Sequence, residues 1–205
     1  MVFHDRQDAA EQMLPHLTHF KGLDGIILAI PRGGVPIGAY LAKELQFQFD
    51  LLMTKKIGHP SDPEFAIGAV GLEDSIIDIK HDGISIEYIN DETYRIRQEL
   101  IRRYRELEGD KSPAVIRNRI AIIVDDGIAT GRTILATLKI LRNKQPRALV
   151  VAVPVASPKA AARIRPAVDE LICLYTPAFF SAISQFYECF DQVGDEQVHQ
   201  LLETI

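Results

Sequence analysis

The stretch IIVDDGIATGRT, residues 122–133, passes from an apolar run into two adjacent acids and then into a loop of Gly, Ala and Thr. Residues 119–124 have the composition of a strand and residues 133–141 predict a helix, so the loop joins a strand to a helix. Backbone N–H groups at a helix N-terminus lack partners and carry partial positive charge, which lets them bind phosphate. The loop therefore predicts a phosphate site, although Asp125 and Asp126 would repel a phosphate.

A sugar phosphate accounts for both halves of this stretch. A P-loop requires a longer interval than Gly127 to Gly131 and a Lys in place of Arg132, and the dinucleotide pattern G-x-G-x-x-G is absent. Carboxylates accept strong hydrogen bonds from a diol, and their charge would stabilise positive charge that develops on a sugar ring. We therefore expect ring hydroxyls to face Asp125 and Asp126. The predicted phosphate-binding residues are Gly127, Ile128, Ala129, Thr130, Gly131, Arg132 and Thr133.

Apolar strands alternate with helices along the rest of the chain, which predicts an α/β fold with an open, mostly parallel sheet and helices on both faces. Residues 58–65 read as a loop, because they contain two Pro and a Gly, and residues 66–89 read as a hairpin that turns at HDG. The predicted strands are 25–30, 49–57, 119–124, 148–156 and 170–177, and the predicted helices are 5–20, 35–45, 91–107, 133–141, 157–165 and 196–204.

A second loop with phosphate chemistry follows the strand 25–30. In AIPRGGVPIGAYLAKEL, residues 29–45, Arg32 offers a planar fork for phosphate oxygens, and Gly33 and Gly34 expose backbone N–H groups. Ligands of parallel sheets bind at the carboxyl ends of the strands. Both loops should therefore open at the same edge of the sheet.

Composition limits the remaining possibilities. The 205 residues suit one domain with an ordinary globular mix, 47% hydrophobic and 25% charged. A net charge of −5 does not favour nucleic acid as a partner. We do not expect residues 1–13 to be a signal peptide, because they contain acids and no apolar segment, and no apolar run is long enough to predict a membrane span. Cys173 and Cys189 are expected to be reduced thiols, and the protein is expected to be cytoplasmic.

The two loops together resemble the ligand-binding motifs of the type I phosphoribosyltransferases. IIVDDGIATGRT is similar to their motif for phosphoribosyl pyrophosphate (PRPP), with Ala129 where members often have Thr, and the Arg-Gly-Gly turn is similar to their pyrophosphate loop. The chain looks closest to a subgroup of predicted phosphoribosyltransferases with an unassigned acceptor. The resemblance implies a single phosphoribosyltransferase domain over residues 1–205, with a lid at about 55–75 and a small hood built from 1–20 and 176–205.

The resemblance also implies a reaction, in which a nitrogen nucleophile of a nucleobase or related small acceptor displaces pyrophosphate from PRPP. Mg²⁺ would be bound mainly through PRPP and pyrophosphate, and a homodimer is the family expectation, with neither nucleic acid nor membrane as a partner. Asp125, Asp126, Arg32 and Lys56 are the implied catalytic residues. The implied pyrophosphate-binding residues are Arg32, Gly33, Gly34, Lys55 and Lys56.

Several alternatives stay open at this point. Lys55 and Lys56 could be solvated charges, and the protein could be a PRPP-binding regulator or a hydrolase or phosphorylase of a ribose phosphate. The aromatic stretch 176–190 predicts either packing or an acceptor site, in which rings stack on a planar base. Its candidate acceptor-binding residues are Phe179, Phe180, Gln185, Phe186 and Tyr187. The arginines of the helix 91–107, Arg103 among them, are interpreted as a solvated face, with binding of a partner subunit or an anionic acceptor as the alternative.

Overall fold

A five-stranded parallel sheet forms the centre of the protein, in the order β2-β1-β6-β7-β8. The computed structural model describes residues 2–77 and 83–205. The strands β1 and β6 are buried along their whole length, as expected for a parallel sheet that is covered on both faces. The predicted fold class is confirmed. The strands are β1 (Gly25–Ala29), β2 (Gln48–Leu51), β6 (Ile120–Val124), β7 (Ala148–Val155) and β8 (Glu170–Tyr175).

Helices cover both faces of this sheet, because successive strand residues point to opposite sides. In β6, Ile122 and Val124 join a core that includes α1, α2 and α3, whereas Ile123 joins a second core with α4 and α5. Each face is therefore sealed by its own apolar cluster. The helices are α1 (Arg6–Met13), α2 (Gly34–Leu45), α3 (Ile86–Glu108), α4 (Arg132–Asn143), α5 (Pro158–Ile164) and α6 (Asp195–Leu202).

A small antiparallel sheet corrects the prediction for residues 49–65. The single strand predicted at 49–57 is two strands of different sheets, β2 and β3 (Thr54–His59), and the predicted loop at 58–65 is mostly strand β4 (Asp62–Gly71). Pro63 is compatible with β4 because the register shifts at Gly58, where Pro63 has no ladder partner. This sheet packs against α3 and α4 and contains most of the predicted lid.

The predicted hairpin at 66–89 is only partly correct. β4 pairs antiparallel with β5 (Ser75–Ile77), but the chain turns between them before the predicted HDG, of which His81 and Asp82 lie outside the described residues. Residues 86–89 belong to α3, which begins five residues earlier than the predicted 91. The cause is an N-cap that the sequence interpretation missed, since Ser85 Oγ accepts a hydrogen bond of 3.1 Å from the Tyr88 N–H.

The two ends of the chain lie together beside the sheet. The helix predicted at 5–20 ends at Met13 and continues as 3₁₀ turns at Leu14–His16 and Thr18–Phe20, because Pro15 cannot continue the α-helical ladder. Phe3 forms a parallel bridge with Tyr187, so the segments predicted to form a hood contact each other.

Two further sequence expectations concern the cysteines and the membrane. Cys173 and Cys189 are both free thiols. In the part of the chain that the structure describes, no helix is long and apolar enough to cross a bilayer.

Replacing Gly34 by Ala should destabilise the fold. An added methyl carbon would lie 2.5 Å from the carbonyl oxygen of Val124, a backbone atom of a central strand that cannot move aside cheaply. We expect a loss of about 1–3 kcal/mol in the free energy of unfolding, measured by urea denaturation. Gly71→Ala is the matched control, since its methyl carbon would approach no neighbour closer than 3.7 Å, and its change should stay within about 0.5 kcal/mol. Equal stabilities of the two variants would contradict the close contact at Gly34.

Candidate active site

The two loops predicted to bind phosphate groups meet at the carboxyl ends of β1 and β6. Ile30 donates its N–H to the carbonyl oxygen of Val124 over 2.9 Å, which ties the ends of the two strands together. A methyl carbon on Gly33 would lie 2.1 Å from Asp126 Oδ2, so the Arg-Gly-Gly turn passes directly over the second acid. Only residues without a side chain permit this approach. The expectation that both loops open at one edge of the sheet is confirmed.

The predicted phosphate loop, residues 127–133, leads into α4 as expected. Gly131 adopts φ 69° at the N-cap of α4, and the first helical bond runs from Leu135 N to Gly131 O. The N–H groups of Arg132, Thr133 and Ile134 therefore have no acceptor within the helix. Ala129, Thr130, Arg132 and Thr133 line the outer side of the loop, where Thr130 and Thr133 are exposed, whereas Gly127 and Ile128 are buried. The outer side of the loop and its free N–H groups form a surface suited to an anion.

Ile128 is an anchor of this loop. Its N–H donates to Val155 O over 2.9 Å and its carbonyl oxygen accepts from Ser157 N, which fixes the loop to the end of β7. Ser157 Oγ also donates to Ala129 O over 2.6 Å. Ile128 is predicted to bind the 5-phosphate, but its N–H is already bonded within the fold and the residue is only 5% exposed, so in this geometry it offers no hydrogen-bond donor to a phosphate.

The two acids have different surroundings. Asp126 is 8% exposed, and its Oδ2 accepts hydrogen bonds from Arg6 Nε at 3.0 Å and Nη2 at 2.7 Å. Asp125 Oδ1 accepts the N–H of Asp126 at 2.9 Å. Burial, and then the charge of Asp126, raise the pKa of Asp125 well above its ordinary value. Burial also raises the pKa of Asp126, although Arg6 opposes this change. The sheet edge thus holds two carboxylates and one compensating guanidinium.

Sequence reasoning missed Arg6, which lies 120 residues from its partner Asp126. The guanidinium also donates to Asp191 O at 2.8 Å and its Cζ lies 4.1 Å from the ring centroid of Phe190. An ion pair, a hydrogen bond to a backbone carbonyl and a cation–π contact therefore hold this guanidinium in place. Nothing in the local sequence around Arg6 distinguishes it from an ordinary residue of an exposed helix start.

Of the predicted pyrophosphate residues, Arg32 borders an open cleft of about 380 Å³, which is also lined by Pro31, Met53 and Arg103 among others. This volume falls in the range of small-molecule sites. Arg32 Nη1 lies 3.4 Å from Asp195 Oδ1, and Lys55 Nζ donates to both carboxylate oxygens of Glu99 at 2.8 and 2.9 Å. Lys56 is the next residue on β3, so its side chain leaves the opposite face of that strand.

Comparison with known proteins identifies the family of this chain. The family model for the phosphoribosyl transferase domain matches residues 7–188. The chain belongs to the phosphoribosyltransferase family. A relative from Mycobacterium tuberculosis strain H37Rv, named "Putative phosphoribosyl transferase", is 37% identical over 98% of this chain. The chain spans 46% of the length of that relative, so less than half of the longer protein is matched.

Two solved structures share the fold of this chain. The crystal structure of the protein TT1426 from Thermus thermophilus is 34% identical, covers 98% of each chain and superposes with a TM-score of 0.88. A hypothetical protein from Neisseria gonorrhoeae with bound ppGpp is 13% identical and has a TM-score of 0.54, with 99% of this chain and 96% of that chain covered. At that identity the second likeness concerns the fold alone.

The acceptor residues predicted for a phosphoribosyltransferase are not all available to a ligand. Phe186 and Tyr187 are 8% and 6% exposed, and the Tyr187 hydroxyl donates to Asp126 O over 2.7 Å. Gln185 Oε1 accepts the N–H groups of Ser181 and Ala182, which folds its own loop. The interpretation of Phe186 and Tyr187 as stacking surfaces is therefore corrected, since their rings belong to the core.

The other aromatic candidates lie nearer to solvent. Phe180 is partly buried against Phe186, with ring centroids 5.3 Å apart, and Phe179 is 93% exposed. Contact of Phe179 or Phe180 with an acceptor is therefore still a prediction.

Arg6→Met should strongly destabilise the protein. It would leave the buried carboxylate of Asp126 without its partner, which typically costs about 3 kcal/mol or more. Urea unfolding should show this loss, and Arg6→Met combined with Asp126→Asn should cost less than the two single changes added together. Arg95→Met is the control, because Arg95 is 59% exposed in an i,i+3 pair with Glu92, a kind of pair worth at most about 1 kcal/mol. Equal losses for Arg6→Met and Arg95→Met would contradict the assigned role.

Asp125→Asn should stabilise the protein at neutral pH. A carboxyl whose pKa is raised by folding destabilises the native state above its unfolded pKa, and this penalty disappears as the pH falls toward about 4. The variant should therefore melt a few degrees higher than the wild type at pH 7 and lose this advantage toward pH 4. Melting curves across this range provide the measurement. A constant difference at all pH values, or a lower melting temperature at pH 7, would contradict the raised pKa.

Proposed function

We propose that the protein is an enzyme, a Mg²⁺-dependent phosphoribosyltransferase that transfers the ribose 5-phosphate of PRPP to a ring nitrogen of a nucleobase or related small acceptor. The observation that carries the proposal is the meeting of two carboxylates, the phosphate loop and the Arg-Gly-Gly turn at one edge of the sheet. Few ligands other than a sugar bearing phosphate groups at both ends would use all three features.

The reaction breaks the bond between C1 of the ribose and a pyrophosphate oxygen and forms a bond from C1 to the acceptor nitrogen, which gives up its proton. Positive charge develops on the ring as the bond breaks. Asp125 and Asp126 supply fixed negative charge at that place, and the low exposure of Asp126 strengthens the effect. Arg32, and Lys56 as proposed from the family resemblance, stabilise the negative charge of the departing pyrophosphate.

Mg²⁺ suits this arrangement of residues. The ion takes oxygen ligands, keeps several waters and is commonly bound through one or two carboxylates together with substrate phosphates. Asp125 and Asp126 provide carboxylate oxygens close to the proposed position of the ribose hydroxyls, although Asp126 Oδ2 is already engaged by Arg6. The bound ion would neutralise the charge of the pyrophosphate group.

Water must be excluded from C1 because hydrolysis competes with transfer. The residues proposed to form the lid, about 55–75, lie mostly in β3 and β4.

Turnover of PRPP tests the proposal. We expect PRPP with Mg²⁺ to raise the melting temperature of the protein, since a ligand of the native state stabilises it, and we expect pyrophosphate release that depends on one member of a panel of nucleobases. Asp126→Asn should lower this release by about 100-fold or more, the usual cost of removing a stabiliser of transition-state charge.

Asp24→Asn is the matched control. Asp24 immediately precedes β1 at the opposite edge of the sheet, where it pairs with Arg119 and is 71% exposed. Its activity should equal that of the wild type. Unchanged turnover in Asp126→Asn would remove Asp126 from the mechanism. Binding of PRPP without release on any base would indicate a regulator, and release without an acceptor would indicate a hydrolase.

A further inference from the structure

Arg103 of α3 lies across the cleft from Arg32. Both side chains line the same cleft, although they belong to a helix and to a loop that are 71 residues apart in the chain. The helix face that carries Arg103 reads as solvated from the sequence, yet only 30% of this side chain is exposed. A second guanidinium therefore faces the site where the pyrophosphate group of PRPP is proposed to bind.

The two arginines share one carboxylate. Arg103 Nη1 donates to Asp195 Oδ2 over 2.8 Å and Nη2 donates to Asp195 Oδ1, which is a bidentate contact. Arg32 Nη1 lies 3.4 Å from the same Oδ1. A guanidinium fork matches a carboxylate and a phosphate group with nearly the same geometry. Asp195 thus occupies the position in which an anionic ligand would bridge the two arginines.

The contact with Asp195 is weak enough to be replaced. The exposed fractions of the Arg32, Arg103 and Asp195 side chains are 35%, 30% and 43%, whereas those of the Arg6–Asp126 pair are 12% and 11%. Solvent therefore screens the Asp195 contact more than it screens the Arg6–Asp126 pair. Pyrophosphate carries several negative charges and can bridge both arginines, so it would compete successfully with a single carboxylate.

Lys55, another predicted pyrophosphate residue, also has an acidic partner. Lys55 is held by Glu99, which lies one helical turn before Arg103 on α3, and both side chains of that pair are more than two-fifths exposed. Glu106 also approaches Arg103, at 3.4 Å, but it forms a closer pair with Arg102. Acidic side chains therefore hold both the arginines of this cleft and Lys55, with Asp195 on α6 and Glu99 on α3.

We propose that Arg103 is a further binding residue for the pyrophosphate group, and that Asp195 holds Arg103 and Arg32 until the ligand takes its place. The inference rests on the proposed function, because it assigns residues to the pyrophosphate end of the same site. Asp195 is then an internal competitor of the ligand, and α6 is the element through which the C-terminal segment lowers the affinity of the cleft for anions.

Calorimetric titration with inorganic pyrophosphate and Mg²⁺ tests this proposal. Asp195→Asn should bind pyrophosphate about threefold to fivefold more tightly than the wild type, because the competing ion pair is lost. Arg103→Gln should bind about tenfold more weakly, the effect of losing a charge-assisted hydrogen bond. In the double variant most of the gain from Asp195→Asn should disappear, since Arg103 is absent and only the longer contact of Asp195 with Arg32 is released.

Two variants control for general charge and stability. Glu196→Gln removes the same charge from the same turn of α6, and among the described residues Glu196 forms no ion pair, so it should leave affinity unchanged. Arg102→Gln removes an arginine that is 67% exposed next to Arg103. If Asp195→Asn binds pyrophosphate no more tightly than Glu196→Gln does, the role of Asp195 is overturned. If Arg103→Gln binds pyrophosphate as tightly as Arg102→Gln does, the role of Arg103 is overturned. If PRPP binds the wild type and these results are negative, only this assignment fails; if neither PRPP nor pyrophosphate binds, the proposed function fails as well.

Discussion

The close approach of the Arg-Gly-Gly turn to the end of β6 is the contact on which the site depends. Gly33 and Gly34 leave no room for a Cβ atom against the Asp126 carboxylate and the Val124 carbonyl oxygen. Because the turn lies this close, Arg32 and the two acids belong to one site rather than to separate strand ends. The parallel sheet makes the contact possible, since β1 and β6 are neighbours whose carboxyl ends share an edge.

The two acids at the end of β6 have an electrostatic cost, which other parts of the structure reduce. Two adjacent carboxylates at a buried strand end destabilise the native state when they are ionised, and burial raises the pKa of both. The terminal segments reduce this cost, because Arg6 pairs with Asp126, the Tyr187 hydroxyl donates to the Asp126 carbonyl oxygen, and the Phe190 ring lies against Arg6. Such a loss of folding stability is typical of functional sites, because negative charge stabilises a transition state best when it is already fixed in position before the substrate binds. The terminal segments of this chain thus support the charged residues at the end of β6.

The sequence predicts the local parts of this site and misses its long-range parts. The two glycine-containing loops, their place at the ends of strands and the helix after each one can be read from short stretches, since composition and periodicity determine them. Arg6 and Asp195 cannot be found in this way, because their partners Asp126 and Arg103 are brought near only by tertiary packing. Residues 49–65 are misread for a similar reason: a change of sheet after Leu51 and a register shift at Gly58 leave no mark on the pattern. Phe186 and Tyr187 could equally have been packing residues, and the structure places them in the core.

A crystal structure of the complex with PRPP and Mg²⁺ would show directly whether one sheet edge binds both ends of this ligand. We expect oxygens of the 5-phosphate to lie at about 2.7–3.2 Å from backbone N–H groups in the loop 129–133, with the ribose hydroxyls facing Asp125 and Asp126 and the pyrophosphate group beside Arg32. A 5-phosphate bound away from this loop, or a ribose ring turned away from both acids, would contradict this expectation.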